Sequence, residues 1–145
     1  MEYLSIDNTE FCENELDLSK AIDSFHKLII YYMDERSEKI GVEELAARTG
    51  ISTRTINQMR SERESEHRFS LKYLVAVSIG LHMMTEHSFY LIHLNGQCLR
   101  KSKRNEKFYI YLLTECNHFC VAACNDFLRA NKLSPLTTAE IFSYN

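Results

Sequence analysis

Proline and glycine are scarce in this chain: one proline and four glycines occur among its 145 residues. These residue types mark turns and loops, so their scarcity predicts few tight turns and a mostly helical protein. No stretch of useful length alternates apolar and polar residues as a half-buried strand would. We therefore expect an all-α fold.

Long apolar runs and a secretory leader are also lacking. The longest apolar run, residues 28–33, is far too short to cross a bilayer and is typical of one face of a helix. The amino-terminal stretch MEYLSIDNTEF has neither the basic start nor the apolar centre of a signal peptide. The five cysteines form an odd set outside any secretory context, which favours reduced thiols. We expect a cytoplasmic protein with no membrane contact.

Motifs that would indicate catalysis are missing as well. The chain has no glycine-rich phosphate loop, no nucleophile motif and no histidines at metal-protease spacing. We therefore expect no enzyme activity, no catalytic residues, no cofactor and no metal site.

Three cysteines, Cys116, Cys120 and Cys124, recur at every fourth residue. On one continuous helix the outer pair would lie about 12 Å apart along the axis. That distance is too long for one zinc ion, whose bonds to sulfur are about 2.3 Å. If the helix breaks at residues 117–119, a site that includes His118 becomes feasible. Small buried apolar side chains are the preferred interpretation of the three cysteines.

Charge is unevenly distributed along the chain, whose net charge is −3. The first nineteen residues carry six acidic side chains and no lysine or arginine, whereas residues 41–73 carry six basic and five acidic ones. Residues 100–107 add five basic side chains and one acidic one. Because a local patch attracts phosphates, the net charge does not exclude nucleic acid, but one copy alone would bind DNA weakly.

Apolar residues at helical spacing, together with capping residues, predict a chain of seven helices. Ser52, Ser70 and Thr85 are the predicted N-caps. Gly80 is predicted to end its helix in the left-handed conformation. The predicted helical spans are residues 16–33, 42–49, 53–63, 71–79, 85 to 96–99, 105–116 and 120–133.

The stretch LAARTGISTRTINQMR, residues 45–60, has the features of two short helices that cross closely. Ala46 and Ala47 are small enough for close contact, and Gly50 tolerates the positive φ of a tight turn. Ile56 and Met59 lie three residues apart, so they share the inward face of the second helix.

The opposite face of that second helix is polar. Arginine can bond guanine, and glutamine or asparagine can bond adenine, through two hydrogen bonds each. Hydroxyl and N–H groups at the start of the helix can hold a phosphate. A solvated surface is the alternative interpretation of the same residues. The predicted DNA-contact residues are Ser52, Thr53, Arg54, Asn57, Gln58 and Ser61.

The segment EELAARTGISTRTINQMR resembles the helix-turn-helix of the phage repressor and Cro family, the xenobiotic-response-element type of bacterial regulator. The stretch LKYLVAVSIGL resembles that family's fourth helix, and the likeness covers residues 18–81. The resemblance implies a lambda-repressor-like fold whose recognition helix, about residues 53–63, enters the major groove of double-stranded DNA. The positions that match the family's pattern are Leu45, Ala46, Gly50, Ile51, Ser52, Ile56 and Met59.

We therefore expect an acidic arm at residues 1–16, a helix-turn-helix domain at residues 17–82 and a helical extension at residues 83–145. The expected function is sequence-specific regulation of transcription by a homodimer that reads two half-sites about one helical turn apart. A weakly charged single domain gains little binding free energy from contacts with DNA phosphates, so a dimer is expected. The predicted dimer contact involves Phe89, Ile92, Phe108, Leu112 and Phe127.

Two other functions stay open. The family often has glutamine where its second helix begins, but this chain has Val42, and three glutamates follow Ser61 in SERESEHR. Carboxylates repel phosphates, so these residues favour a protein–protein adaptor or an antitoxin-like partner that keeps the repressor fold. In that interpretation the acidic arm and the extension bind another protein. A regulator that senses a ligand in a pocket of the extension is the other alternative.

Overall fold

The computed structural model describes residues 21–36, 38–64 and 67–139. This part of the chain is all-α, as predicted, and contains no β-strand. The predicted acidic arm, residues 1–16, lies outside the described residues. None of the described helices is long and apolar enough to cross a membrane. The helices are α1 (Phe25–Ile30), α2 (Val42–Thr49), α3 (Thr53–Met59), α4 (Leu71–Gly80), α5 (Thr85–Leu94), α6 (Arg104–Glu115) and α7 (Val121–Ala130).

The first helix differs from its prediction at both ends. Its predicted start, residue 16, lies outside the described residues, and the backbone at Ile22 and Ser24 is not helical. The Ile22 carbonyl, which would accept a bond inside a longer helix, instead accepts one from the Tyr90 hydroxyl at 2.8 Å. α1 therefore begins at Phe25, and a π-helical turn, Tyr31–Glu35, carries the chain past the predicted end.

α2 has its predicted span, whereas α3 ends four residues before the predicted residue 63. The chain turns at Arg60, whose guanidinium donates to the two carboxylate oxygens of Asp34 at 3.2 and 2.8 Å. This ion pair anchors the end of α3 to the π-helical turn, so the next residues leave the helix axis. A 3₁₀ turn, Glu62–Glu64, follows.

Serine caps two helices as predicted, but the threonine cap is wrong. Ser52 and Ser70 each accept a bond, at 3.2 Å, from the backbone N–H three residues later. Thr85 is instead the first residue of α5, and its hydroxyl donates to the Leu113 carbonyl of α6 at 3.1 Å. A contact with a distant helix therefore replaces the local cap.

The last three helices have nearly their predicted spans. α5 ends at Leu94, before the predicted residues 96–99, because Asn95 turns inward and bonds the backbone of residues 67 and 69. α6 begins one residue before its predicted span, and α7 ends at Ala130, three residues before its predicted end.

Gly80 ends α4 without the predicted left-handed conformation. The positive φ occurs two residues later, at His82, where φ is 52°. Gly80 instead allows α4 to approach α2 closely, since a Cβ atom at this position would lie 2.7 Å from Thr49 Cγ2 and 3.2 Å from Leu45 Cδ1. Packing, rather than backbone conformation, requires this glycine.

α4 is the centre of the core. All seven of its residues from Leu74 to Gly80 are buried, and α4 packs against α2, α5, α6 and α7. The core cluster includes side chains from both sides of residue 82, such as Leu45 of α2 and Leu112 of α6. The helices after residue 82 therefore help to hold α2 in place.

Residues 136–139, which we call the C-terminal strap, fold back over the turn between α2 and α3. The buried Asn125 amide of α7 holds the strap by donating to the Ala139 carbonyl at 3.0 Å and accepting from a strap N–H at 2.8 Å. Thr137 in turn donates its hydroxyl to the Thr49 carbonyl at the end of α2. The strap thus connects α7 to the turn that precedes α3.

Candidate nucleic-acid interface

The turn between α2 and α3 is fixed by local hydrogen bonds. Gly50 adopts a φ of 80°, and its N–H donates to the Ala46 carbonyl at 2.8 Å. The Thr49 hydroxyl donates to the Leu45 carbonyl at 2.7 Å and accepts from the Ile51 N–H at 3.1 Å. These bonds set the direction in which α3 leaves α2.

The C-terminal strap closes the same turn from outside. A Cβ atom at Gly50 would lie 2.9 Å from the Ala139 nitrogen and 2.9 Å from Thr137 Oγ1. This contact could not be predicted from the sequence, because Thr49 and Thr137 are 88 residues apart and no local pattern connects them. Gly50 alone did not indicate the C-terminal strap, because the positive φ of the tight turn is enough to explain a glycine at this position.

The apolar face of α3 is locked into the core. Ile56 and Met59 have only 0% and 1% of their surface exposed, and Ile51 in the turn is buried as well. α3 packs against both α1 and α2. The predicted inward pair is confirmed, so the core sets the rotation of α3 about its own axis.

The polar residues of α3 lie on its other face. Arg54 and Asn57 are exposed, Gln58 and Ser61 are half-buried, and together with Thr53 they line one open depression. No described residue forms a hydrogen bond with the side chains of Arg54, Asn57 or Gln58. The structure therefore brings five of the six predicted contact residues into one polar surface, which we call the outward face of α3.

Ser52, the sixth predicted contact residue, is used within α3. Its hydroxyl accepts from the Thr55 N–H at 3.2 Å and donates to the Thr55 hydroxyl at 3.0 Å. Because the hydroxyl proton of Ser52 is committed to that bond, the side chain stabilises the first turn of α3.

A second depression adjoins the first, and the two share Thr53 and Asn57. Glu43 is exposed at its α2 wall, and Glu44 pairs with Arg48 at 2.7 Å. A phosphate in this depression would meet the Glu43 carboxylate. The position of these glutamates beside α3 could not be predicted from the sequence, because only the packing of two helices brings them there. The lining residues are Gly41, Val42, Glu43, Glu44, Thr53 and Asn57.

Ion pairs occupy two other arginines, one in α2 and one just after α3. Arg48 pairs with Glu44, and Arg60 pairs with Asp34 at 2.8 Å. The hydrogen bonds from Arg60 hold the pKa of the Asp34 carboxyl below its usual value. Arg54 has no carboxylate partner among the described residues, so its guanidinium provides the positive charge of the outward face.

Part of the basic segment at residues 100–107 forms hydrogen bonds within the chain. Arg100 donates to the two carboxylate oxygens of Glu106 at 3.2 and 2.9 Å. These bonds hold the pKa of Glu106 below its usual value even though the side chain is buried. Lys101 and Lys103 are exposed.

The three cysteines do not form a metal-binding cluster within the described residues. Residues 116–120 separate α6 from α7, so the helix break that a site with His118 required is present. Cys116 and Cys124 are buried, whereas Cys120 is exposed. Burial raises the pKa of Cys124 to about 12, so its thiol stays protonated and packs as a small apolar group.

The predicted dimer contact lies only partly on the surface. Phe89, Ile92 and Leu112 are buried in the core of the chain, so the prediction is wrong for these three residues. They lie on the inner faces of α5 and α6, where they cannot reach another molecule. Phe108 and Phe127 are half-buried and remain accessible.

No protein-family model, curated protein or solved structure matches this chain. The outward face presents one guanidinium, two amides and two hydroxyls on a helix of fixed orientation. These are the groups that bond base edges and phosphates in protein–DNA complexes.

Proposed function

We propose that this chain is a sequence-specific DNA-binding regulator of transcription that inserts α3 into the major groove of double-stranded DNA. The groove is wide enough for an α-helix, and side chains on the helix face reach the base edges. Arg54 is suited to guanine, and Asn57 and Gln58 are suited to adenine. The hydroxyls of Thr53 and Ser61 are suited to the phosphates beside them.

One observation carries this proposal: the two faces of α3 differ sharply in how they are held. Ile56 and Met59 are buried on the inward face, and the Ser52 cap fixes the beginning of the helix. The amides and guanidinium of the outward face bond no described residue. A rigid helix with uncommitted hydrogen-bonding groups loses little entropy when it binds, which favours recognition.

Charge predicts that a single copy binds weakly. The logarithm of the association constant falls with the logarithm of salt concentration by about 0.9 for each phosphate neutralised. Since Arg48 and Arg60 are paired and Glu43 adjoins the outward face, we expect few neutralised phosphates and a shallow salt dependence. Two copies on half-sites about 34 Å apart would bind more tightly and impose a symmetric operator.

Selection of bound sequences from a random DNA pool tests the proposal. We expect the unaltered chain to enrich one motif and Arg54→Ala to lose the preference at one base position, a change of about 1–3 kcal/mol in discrimination. Arg129→Ala is the matched control, because Arg129 is exposed on α7 and pairs with Asp126 rather than facing the α3 surface. The control should enrich the same motif as the unaltered chain.

An absence of enrichment by the unaltered chain at moderate salt would contradict the proposal. Equal losses in Arg54→Ala and Arg129→Ala would contradict it too, since general charge rather than recognition would then explain binding. The first result would favour the adaptor, for which Glu43 beside Asn57 is the supporting observation. Capture of a basic partner protein that is lost in Glu43→Lys would identify that function.

A further inference from the structure

α6 and α7 carry an aromatic patch on their surface, formed by Phe108, Tyr111 and Phe127. Tyr111 is 46% exposed, and its ring stacks on that of Phe127 with 5.4 Å between centroids. Phe108 packs beside Phe127 at 5.9 Å. With Lys107, these side chains line an open and almost wholly apolar depression. Such a surface favours contact with another molecule.

The rings of the aromatic patch are held in position by neighbouring groups. The Arg104 guanidinium lies over the Phe108 ring, 5.0 Å from its centroid, and donates to the Asn131 carbonyl at 2.6 Å. Phe108 and Tyr111 both pack on Phe127 of the neighbouring helix. Aromatic side chains that are already fixed lose little entropy when they are covered, as is typical of residues at the centre of interfaces.

Tyr111 lies midway between two opposite charges on the same face of α6. Lys107 precedes it by four residues and Glu115 follows it by four, so each lies about one turn away. Both side chains are exposed, and neither forms an ion pair with a described residue. This face is therefore positive toward the beginning of α6 and negative toward its end.

We propose that a second copy of this chain covers the aromatic patch, with the two α6 helices antiparallel and crossing at Tyr111. A two-fold axis then passes beside Tyr111. A residue that precedes Tyr111 by a given number of positions lies opposite the partner subunit's residue that follows Tyr111 by the same number. Lys107 consequently faces the partner subunit's Glu115, and the same pair occurs twice. Because the contact is closed, it leaves no aromatic patch for a third copy.

The charges of Lys107 and Glu115 favour a second copy of this chain as the partner, and they favour the antiparallel orientation. A parallel pair of α6 helices would place Lys107 opposite a second lysine and Glu115 opposite a second glutamate, which repel each other. The antiparallel pair places opposite charges together without help from any other protein. α6 has twelve residues and is about 18 Å long. The buried area is therefore at the lower end for protein complexes, and we expect a dimer of modest affinity.

Charge reversal tests this interface in the full chain without DNA. Sedimentation velocity over a wide concentration range gives the Kd of the dimer. Lys107→Glu alone, or Glu115→Lys alone, replaces two attractions with two repulsions and should raise the Kd about tenfold. The double variant Lys107→Glu, Glu115→Lys restores both pairs with the charges exchanged, so its Kd should return toward the original value. Tyr111→Ser should leave a monomer over most of the concentration range.

Lys101→Glu is the matched control for the charge reversals, because Lys101 is exposed in the loop before α6 and the change in charge is the same. Its Kd should equal that of the unaltered chain. Circular dichroism should show unchanged helix content for every variant, since all of the altered side chains are exposed. A chain that is monomeric at every concentration, or a double variant no tighter than the single ones, would overturn the interface.

The proposed interface goes beyond DNA binding, and the two proposals can fail separately. A monomeric chain whose DNA selection still depends on Arg54 would overturn the interface alone. A dimer that obeys the charge reversals but enriches no DNA motif would support the interface and overturn the proposed function.

Discussion

At the scale of single residues, the buried His87 links stability to pH. The Tyr32 hydroxyl lies 2.5 Å from His87 Nδ1 and accepts from the Met84 N–H at 3.3 Å. Burial, together with the positive charge of Arg36, lowers the pKa of His87 to about 4.

The free energy of unfolding should therefore decrease as the pH falls below about 6.5, the pKa of an unperturbed histidine. The unfolded chain then takes up a proton that the folded chain does not bind until the pH approaches 4. Above about pH 6.5 the contribution of His87 to the free energy of unfolding is complete. Between about pH 6.5 and pH 4 this contribution decreases by up to about 1.4 kcal/mol for each pH unit. Urea denaturation at a series of pH values measures the slope.

His87→Gln separates this effect from other titrations. Glutamine can still bond the Tyr32 hydroxyl but does not titrate, so the slope between pH 4 and about 6.5 should become shallower. His118→Gln, at an exposed residue, should keep the original slope. An unchanged pH dependence in His87→Gln would show that His87 does not link stability to pH.

At the scale of helices, the close approach of α2 and α4 depends on Gly80. Gly80→Ala should reduce the free energy of unfolding by about 1–3 kcal/mol, because the new methyl group overlaps Thr49 Cγ2. The Thr49 side chain cannot easily rotate away, since its hydroxyl bonds the Leu45 carbonyl and the Ile51 N–H. Urea denaturation followed by circular dichroism measures the loss. Gly41→Ala is the control, since a Cβ atom there meets nothing within 4 Å.

The control variant Gly41→Ala should change the free energy of unfolding by less than about 1 kcal/mol, because φ at Gly41 is −77° and suits any residue. Equal stabilities of the two variants would contradict the packing role of Gly80.

Local sequence signals predicted the helices best where local bonds decide their ends. α2 has its predicted span, and Ser52 and Ser70 cap as predicted, because a serine cap bonds an N–H only three residues away. α1 and α3 differ from prediction where distant partners intervene, as when Arg60 bonds Asp34. No hydrophobic period reveals such a partner, so the sequence could not have placed these ends.

The candidate interface also has one part that the sequence could predict and one part that it could not. Its outward face follows from the helical period once Ile56 and Met59 are placed inward, and Arg54 and Asn57 are exposed as predicted. The position of Glu43 beside Asn57 depends on how two helices pack. The sequence could therefore predict which side chains of α3 point outward but not which side chains of α2 border them.

At the scale of the whole molecule, the C-terminal strap couples α7 to the turn before α3. Asn125→Ala removes its bonds to Ala139 and to the backbone of residues 136 and 137. We expect a loss of about 2–4 kcal/mol in the free energy of unfolding, since buried backbone groups lose their partners. Native-state hydrogen exchange should also become faster at the amides of Gly50 and Ile51.

Asn131→Ala is the matched control for the strap variant. Among the described residues, the Asn131 side chain donates to the Phe127 carbonyl alone, one turn back in α7. Its removal should therefore leave exchange at Gly50 unchanged. If Asn125→Ala also leaves that exchange unchanged, the C-terminal strap does not hold the turn.

The bond between Thr137 and the Thr49 carbonyl has a consequence for the order of events during synthesis. A ribosome completes α2 and α3 long before it adds residue 137, which lies 88 residues further along the chain than Thr49. Pairings this far apart in the chain also form slowly. In a nascent chain, both helices are therefore present before the C-terminal strap, which closes the turn between them. If α3 binds DNA as proposed, the support that the C-terminal strap gives to the turn before α3 is complete only late in translation.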